Sequence, residues 1–180
     1  LAEPAGPRDV SAWFTFSGVP ADNYRLDPRK GGGALLDLGP YVVAAAEWAL
    51  GGDLAVVSSV QQRAATGVDL TTTAVLAGVL GRAEVTVSIN RAEAQGMRID
   101  APGLTLEWVD EAFTSWGCET TLRVVEDAHA RDEVFPACDA YQLMVEAVSA
   151  RAAGQDAWVL PLTTSAAVAR ALDAVAAAAA

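Results

Sequence analysis

The sequence has a single histidine, His129, and two cysteines, Cys118 and Cys138. One histidine cannot build a histidine-rich metal site. Within the polar stretch EDAHARDE it reads as part of a solvated turn, not as the base of a Ser-His-Asp triad. Two cysteines make no disulfide framework, and their spacing matches no zinc pattern, so they read as reduced thiols and no metal is expected. Cations are scarce: 12 Lys and Arg stand against 23 Asp and Glu, for a formal charge of −11. Such a field repels a phosphate backbone and argues against nucleic acid as a partner. No uninterrupted apolar run is long enough to span a bilayer, so no membrane partner is expected. The opening residues LAEPAGPRDV lack the basic start and apolar block of a signal peptide. With the sparse cysteines, this points to the cytoplasm. Also missing is a G-x-G-x-x-G turn after a strand. Gly31-Gly32-Gly33 follows a polar loop instead, so it makes no dinucleotide fingerprint. The first residue is Leu, which suggests a fragment, a cleavage product or a stand-alone module.

What is present suits one globular domain. The 180 residues are 52% hydrophobic and 19% charged, enough to bury a core without long disorder. Residues 10–16 (VSAWFTF) alternate as a strand, with Val10, Ala12, Phe14 and Phe16 on one face. A polar loop spans 18–30. A helix is expected to start near Pro40, because proline suits a first turn, and to end at Gly51-Gly52. Strands are expected at 54–61, 70–80 and 83–90, with Gly81-Arg82 as a turn. A hairpin is expected from 97–100 and 104–108 around Ala101-Pro102-Gly103, and a short pair from 122–125 and 133–135. Asp139 caps a predicted helix to about 153, with Gln142 three positions on and an apolar stripe of Tyr141, Met144, Val145 and Val148. Thr164 or Ser165 is expected to cap the last helix, where Val168, Leu172 and Val175 recur at helical spacing. The order of elements predicts an α+β domain: a large, mostly antiparallel open-faced sheet with helices packed on one face.

The stretch that can carry chemistry is NYRLDPRKGGGALLDLGPYVVAAAEWAL, residues 23–50. Asp37 and Tyr41 are four apart. They share a helix face if the segment is already helical at Asp37; otherwise Asp37 sits at the helix mouth. Either way an acid and a phenol can converge, behind glycines that admit close approach. A phenol that exchanges a proton near neutral pH needs a lowered pKa, which a cation from this chain or elsewhere would supply. The same residues also fit a packing tyrosine and a turn-forming aspartate.

The string R-L-D-P-x-x-G-G-G-A-L-L-D-L-G-x-Y, residues 25–41, closely resembles the Gfo/Idh/MocA family. This family includes glucose–fructose oxidoreductase and dihydrodiol dehydrogenase, which this chain resembles by having Tyr at position 41. The resemblance implies a nicotinamide-dependent oxidoreductase with two domains. A Rossmann domain, expected outside these residues, would bind NAD or NADP and carry a catalytic lysine in a Glu-Lys-Pro motif. Residues 1–180 would be the single C-terminal domain, shaping the substrate pocket and the oligomer interface. It implies Tyr41 as the proton donor or acceptor, Asp37 as its catalytic neighbour and substrate ligand, and Arg25 and Asn23 near the cofactor.

Gln95 and Tyr141 are further candidates for substrate contact, each with packing or solvent exposure as the plain alternative. Arg98 shares that ambiguity. The segment Phe113-Thr114-Ser115-Trp116 could line a sugar surface, although core or subunit packing suits Trp108 and Trp116 as well. The expected partners are a small molecule, namely a sugar, cyclitol or sugar nucleotide, and further copies of the chain through the sheet. The complete protein is expected to be the enzyme and this chain alone inactive. The rival reading is a non-catalytic assembly or partner-binding module.

Overall fold

The computed structural model describes residues 6–108, 111–114, 116–127 and 129–179. Eight strands form one sheet: β1 (Arg8–Thr15), β2 (Ala55–Arg63), β3 (Asp69–Gly78), β4 (Gly81–Ser88), β5 (Ala94–Ala101), β6 (Leu104–Trp108), β7 (Thr120–Glu126) and β8 (His129–Phe135). Their order across the sheet is β2-β3-β4-β1-β5-β6-β7-β8. Only β1 and β4 run parallel; every other pair is antiparallel. Two meanders, β2–β4 and β5–β8, are thus joined by the first strand. The helices are α1 (Ala34–Leu50), α2 (Ala140–Ala152) and α3 (Leu162–Ala178). The α+β architecture expected from the sequence is the one observed.

Alternation places the core. Val10 and Ala12 of β1, Ala74 and Leu76 of β3, and Ala83, Val85 and Val87 of β4 are buried on one face. Leu35, Leu38, Val42, Val43, Ala46 and Leu50 of α1 cover them. Each fully buried Val or Leu contributes roughly 1.5–3 kcal/mol relative to exposure. Val168, Leu172 and Val175 of α3 complete this layer against α1 and β2. The helices approach closely at Gly39, where a Cβ would lie 2.6 Å from Leu172.

The opposite face is largely polar, and among the described residues no helix covers it. Register places Arg98, Glu107, Arg123 and Asp132 in one row across β5–β8, with alternating charge. Arg98 pairs with Asp100 at 2.7 Å and Glu107 at 3.8 Å, and Arg123 with Asp132 at 3.0 Å.

Several elements differ from the sequence expectation. Helix α1 begins at Ala34, more than a turn before Pro40, which lies inside it. The cause is distant in sequence: the Asp69 carboxylate of β3 accepts the backbone N–H of Leu35 at 2.8 Å and caps the first turn. Pro40 removes only the bond to the Leu36 carbonyl, on the exposed side of the helix. Helix α3 starts at Leu162 after Pro161, so Thr164 and Ser165 lie within its first turn; the Ser165 hydroxyl donates back to the Pro161 carbonyl. The β3–β4 turn is Val79-Leu80, and Gly81-Arg82 belongs to β4. The polar loop contains two single 3-10 turns, Tyr24–Leu26 and Pro28–Lys30. The last hairpin is longer than expected. It carries the charge run, of which Ala128 lies outside the described residues, and His129 opens β8 in an exposed position. Helix α2 forms as expected, with Asp139 accepting from the N–H groups of Tyr141 and Gln142. Its apolar stripe, however, joins no core: none of its residues is buried.

Candidate active site

Tyr41 emerges from α1 into a groove of about 320 Å³. Its walls are Phe14 from β1 and Phe16 just beyond it, Arg25 from the first 3-10 turn, Asp37 and Leu38 from α1, Thr114 and Trp116 from the segment after β6, and Tyr141 from α2. Because the helix already includes Asp37, the i,i+4 spacing places Asp37 and Tyr41 on one face.

The Asp37 carboxylate is committed to its neighbours. It accepts from Arg25 Nε at 2.7 Å and from the Tyr24 hydroxyl at 3.4 Å. Hydrogen bonding to Asp37 raises the Arg25 pKa further. The guanidinium also stacks over the rings of Tyr24 and Phe16, at 4.7 and 5.6 Å. This arrangement depends on Gly32, where a Cβ would sit 2.5 Å from the Arg25 carbonyl oxygen.

The Tyr41 ring is held edge-on to Phe14 at 5.2 Å and tilted against Phe113 at 6.1 Å. Its hydroxyl lies 2.8 Å from that of Tyr141. The phenol is pushed up to about 12, first by burial, then by the hydrogen bond and proximity to Tyr141, then by Asp37. This is opposite to the lowering that a proton-abstracting phenol needs. Within the groove Arg25 pairs with Asp37, so a cation that lowers the phenol has to come from elsewhere.

The other candidates are distributed as follows. Asn23 caps the first 3-10 turn by accepting from Arg25 N–H at 3.0 Å. Gln95 is buried beside the groove, with its amide bonded to residues 111–114. Arg98 lies on the open sheet face, away from the groove. Trp116 is 68% exposed on the groove wall. Trp108 packs edge-on to Trp48 at 6.4 Å. Ser115 lies outside the described residues. Sequence reasoning did not place Phe14, Phe16, Tyr24 or Leu38 in the site. Alternation in β1 was the available signal, since it aims Phe14 and Phe16 toward the helix layer.

A larger cavity, about 520 Å³, lies against α2, lined by Leu143, Met144, Val148, Trp158 and Leu160 among others. Its lining has no titratable side chain. Among the described residues no cluster of three His, Cys, Asp or Glu could hold a metal. Both cysteines are exposed and unpaired. No helix among these residues is long and apolar enough to cross a membrane.

A dinucleotide requires a cradle for its pyrophosphate, commonly glycines at a helix N-terminus. The start of α1 has that outline, but the Asp69 carboxylate already fills it. Asp69 is buried, bonded to Leu35 N–H and to the Thr72 hydroxyl at 2.7 Å, and occupies the space where a Cβ of Gly33 would lie. A phosphate would meet a fixed negative charge there. The start of α1 therefore does not fit the phosphates of a dinucleotide.

Known structures share this fold. A 3-ketoreductase from Actinomadura kijaniata, solved with NADP and TDP-benzene, superposes with a TM-score of 0.82 at 24% identity, over 96% of this chain and 54% of that one. An aldose-aldose oxidoreductase from Caulobacter crescentus, solved with glycerol, gives 0.81 at 19% identity, over 98% and 54%. A UDP-N-acetylglucosamine 3-dehydrogenase from Acidithiobacillus ferrooxidans gives 0.67 at 21%, over 97% and 54%. The chain thus spans about half the length of these structures. No curated protein matches the sequence. The profile of the GFO/IDH/MocA C-terminal domain matches residues 6–105. The chain belongs to the GFO/IDH/MocA family, as its C-terminal domain.

Proposed function

We propose that this chain is the substrate-facing half of an NAD(P)-dependent oxidoreductase acting on a secondary alcohol or ketone of a sugar, cyclitol or sugar nucleotide. The observation that carries this reading is the Tyr41 hydroxyl, set in an aromatic groove beside the Asp37–Arg25 pair. Aromatic walls with a few fixed polar groups suit a sugar ring. The similar structures, described as acting on ketones, aldoses or a UDP-sugar, point the same way.

The hydride partner is a nicotinamide held outside these residues, and this chain acts only at the oxygen of the reacting carbon. With its pKa raised, Tyr41 stays protonated at neutral pH and serves as proton donor to a carbonyl oxygen. Abstraction in the reverse direction needs a cation against the phenol, a role suited to a lysine of the nucleotide domain. Asp37 holds Arg25 on the groove wall, with the Tyr24 hydroxyl bonded to the same carboxylate. The complete protein is assigned to the cytoplasm. Its uncovered polar sheet face, with alternating charges, is assigned to contact between copies of the chain.

The test is Tyr41→Phe in the full-length protein. Turnover should fall by roughly 10²–10⁴, the usual contribution of a positioned acid, with NAD(P) binding and melting temperature retained. Unchanged turnover would remove the catalytic role and favour the non-catalytic module.

A further inference from the structure

Gln95 is 9% exposed and lies on the core-facing side of β5, directly across from Phe14 of β1 in register. Its carboxamide is fully used. The Oε1 atom accepts from Phe113 N–H at 2.8 Å and Thr114 N–H at 3.0 Å. The Nε2 atom donates to Glu111 Oε2 at 2.8 Å and to the Thr114 hydroxyl at 2.9 Å. A primary amide has two donors and an acceptor oxygen with two lone pairs, so none remains for a bound molecule.

The segment it holds has no regular structure of its own. Glu111 sits at φ 50, in the left-handed region unfavourable to a side chain. Phe113 leaves this segment to stack on Phe14 at 5.8 Å, with 18° between ring planes, and to touch Tyr41. Thr114 accepts from the backbone N–H of Trp116, and both residues line the groove. One buried side chain therefore fixes the wall that closes on the Tyr41 ring.

We infer that Gln95 is a positioning residue: it bonds residues 111–114 so that Phe113 packs on Phe14 and shields the Tyr41 phenol from water. Its relevance to turnover rests on the proposed activity; the packing relation does not. Both halves of the amide are required. Gln95→Glu keeps an acceptor for the two N–H groups but sets a carboxylate against Glu111. Two carboxylates at hydrogen-bond distance repel unless a proton bridges them. Gln95→Met keeps the length of the side chain and loses every bond.

The experiment labels the chain with 4-fluorophenylalanine and follows the Phe113 fluorine line, assigned by Phe113→Leu. It also follows alkaline titration of the Tyr41 phenol by absorbance. The expected wild-type Phe113 line is ring-current shifted and constant from about pH 4 to 8. In Gln95→Glu it moves to the solvent position at neutral pH and returns in acid, once a proton bridges the two carboxyl groups. In Gln95→Met it stays at the solvent position throughout. In both variants the Tyr41 step falls from about 12 toward 10, as burial is lost. A Phe113 line that stays shifted in both variants overturns the inference. So does a Phe113 line that moves while the Tyr41 step does not. These readings are independent of catalysis, so a full-length Tyr41→Phe protein that keeps its turnover would overturn only the proposed activity.

Discussion

The carboxylate of Asp69, on β3, accepts the backbone N–H of Leu35, on α1, at 2.8 Å. A side chain of the sheet thereby starts the helix that carries Asp37 and Tyr41. Asp69→Ala leaves the Leu35 N–H and the Thr72 hydroxyl buried without this partner, at a cost of about 1–3 kcal/mol for an unsatisfied group. Urea unfolding should show that loss, and Asp69→Asn, which keeps an acceptor, should lose less.

Tyr41 makes stability pH-dependent at the alkaline end. Its folded pKa is raised from 10.0 to about 12, so between these values the unfolded chain gives up the proton first. The contribution is complete below about pH 10 and is lost as pH rises through 12. Urea midpoints taken across that window should fall in the wild type and fall less in Tyr41→Phe, and the absorbance step near 12 should vanish in the variant.

Gly96 of β5 faces Trp13 of β1 in register, and the indole occupies the space a Cβ would take. Gly96→Ala should lift the ring off the open sheet face. Near-ultraviolet circular dichroism should change at the tryptophan bands, with a stability loss of about 1–3 kcal/mol typical of overpacking.

Leu143, Met144, Val145 and Val148 of α2 are each more than half exposed. A hydrophobic dye should therefore bind this chain. Met144→Glu with Val148→Lys should lower that binding while moving the urea midpoint little, since surface changes are usually within about 0.5 kcal/mol. A large stability loss would show that this face is packed in solution.

The sheet was legible because alternation is local. The 83–90 strand and the Pro102-Gly103 turn, with Gly103 at φ 75, follow from residues next to one another. Where the structure departs from expectation, the cause is a partner far along the chain. The start of α1 depends on Asp69, which no pattern around Pro40 reveals. The period of α2 marked an apolar face correctly, but periodicity does not say what that face meets. The pair Asp37–Tyr41 was legible from spacing and family resemblance. The Tyr141 hydroxyl on Tyr41, and the use of all of Gln95 on one loop, arise only when distant strands and helices come together.

The position of β1 between β4 and β5 has a consequence for folding order. Each meander can assemble from neighbouring strands, so its pairings close short loops and form early. The first strand gains its parallel partner only after the whole β2–β4 meander is in place. Until it docks, β4 and β5 are both bare edges, open to pairing with another chain. β1, which precedes both meanders in this domain, is thus the last strand to be secured, and variants that weaken it should raise aggregation during refolding more than they lower the stability of the finished domain.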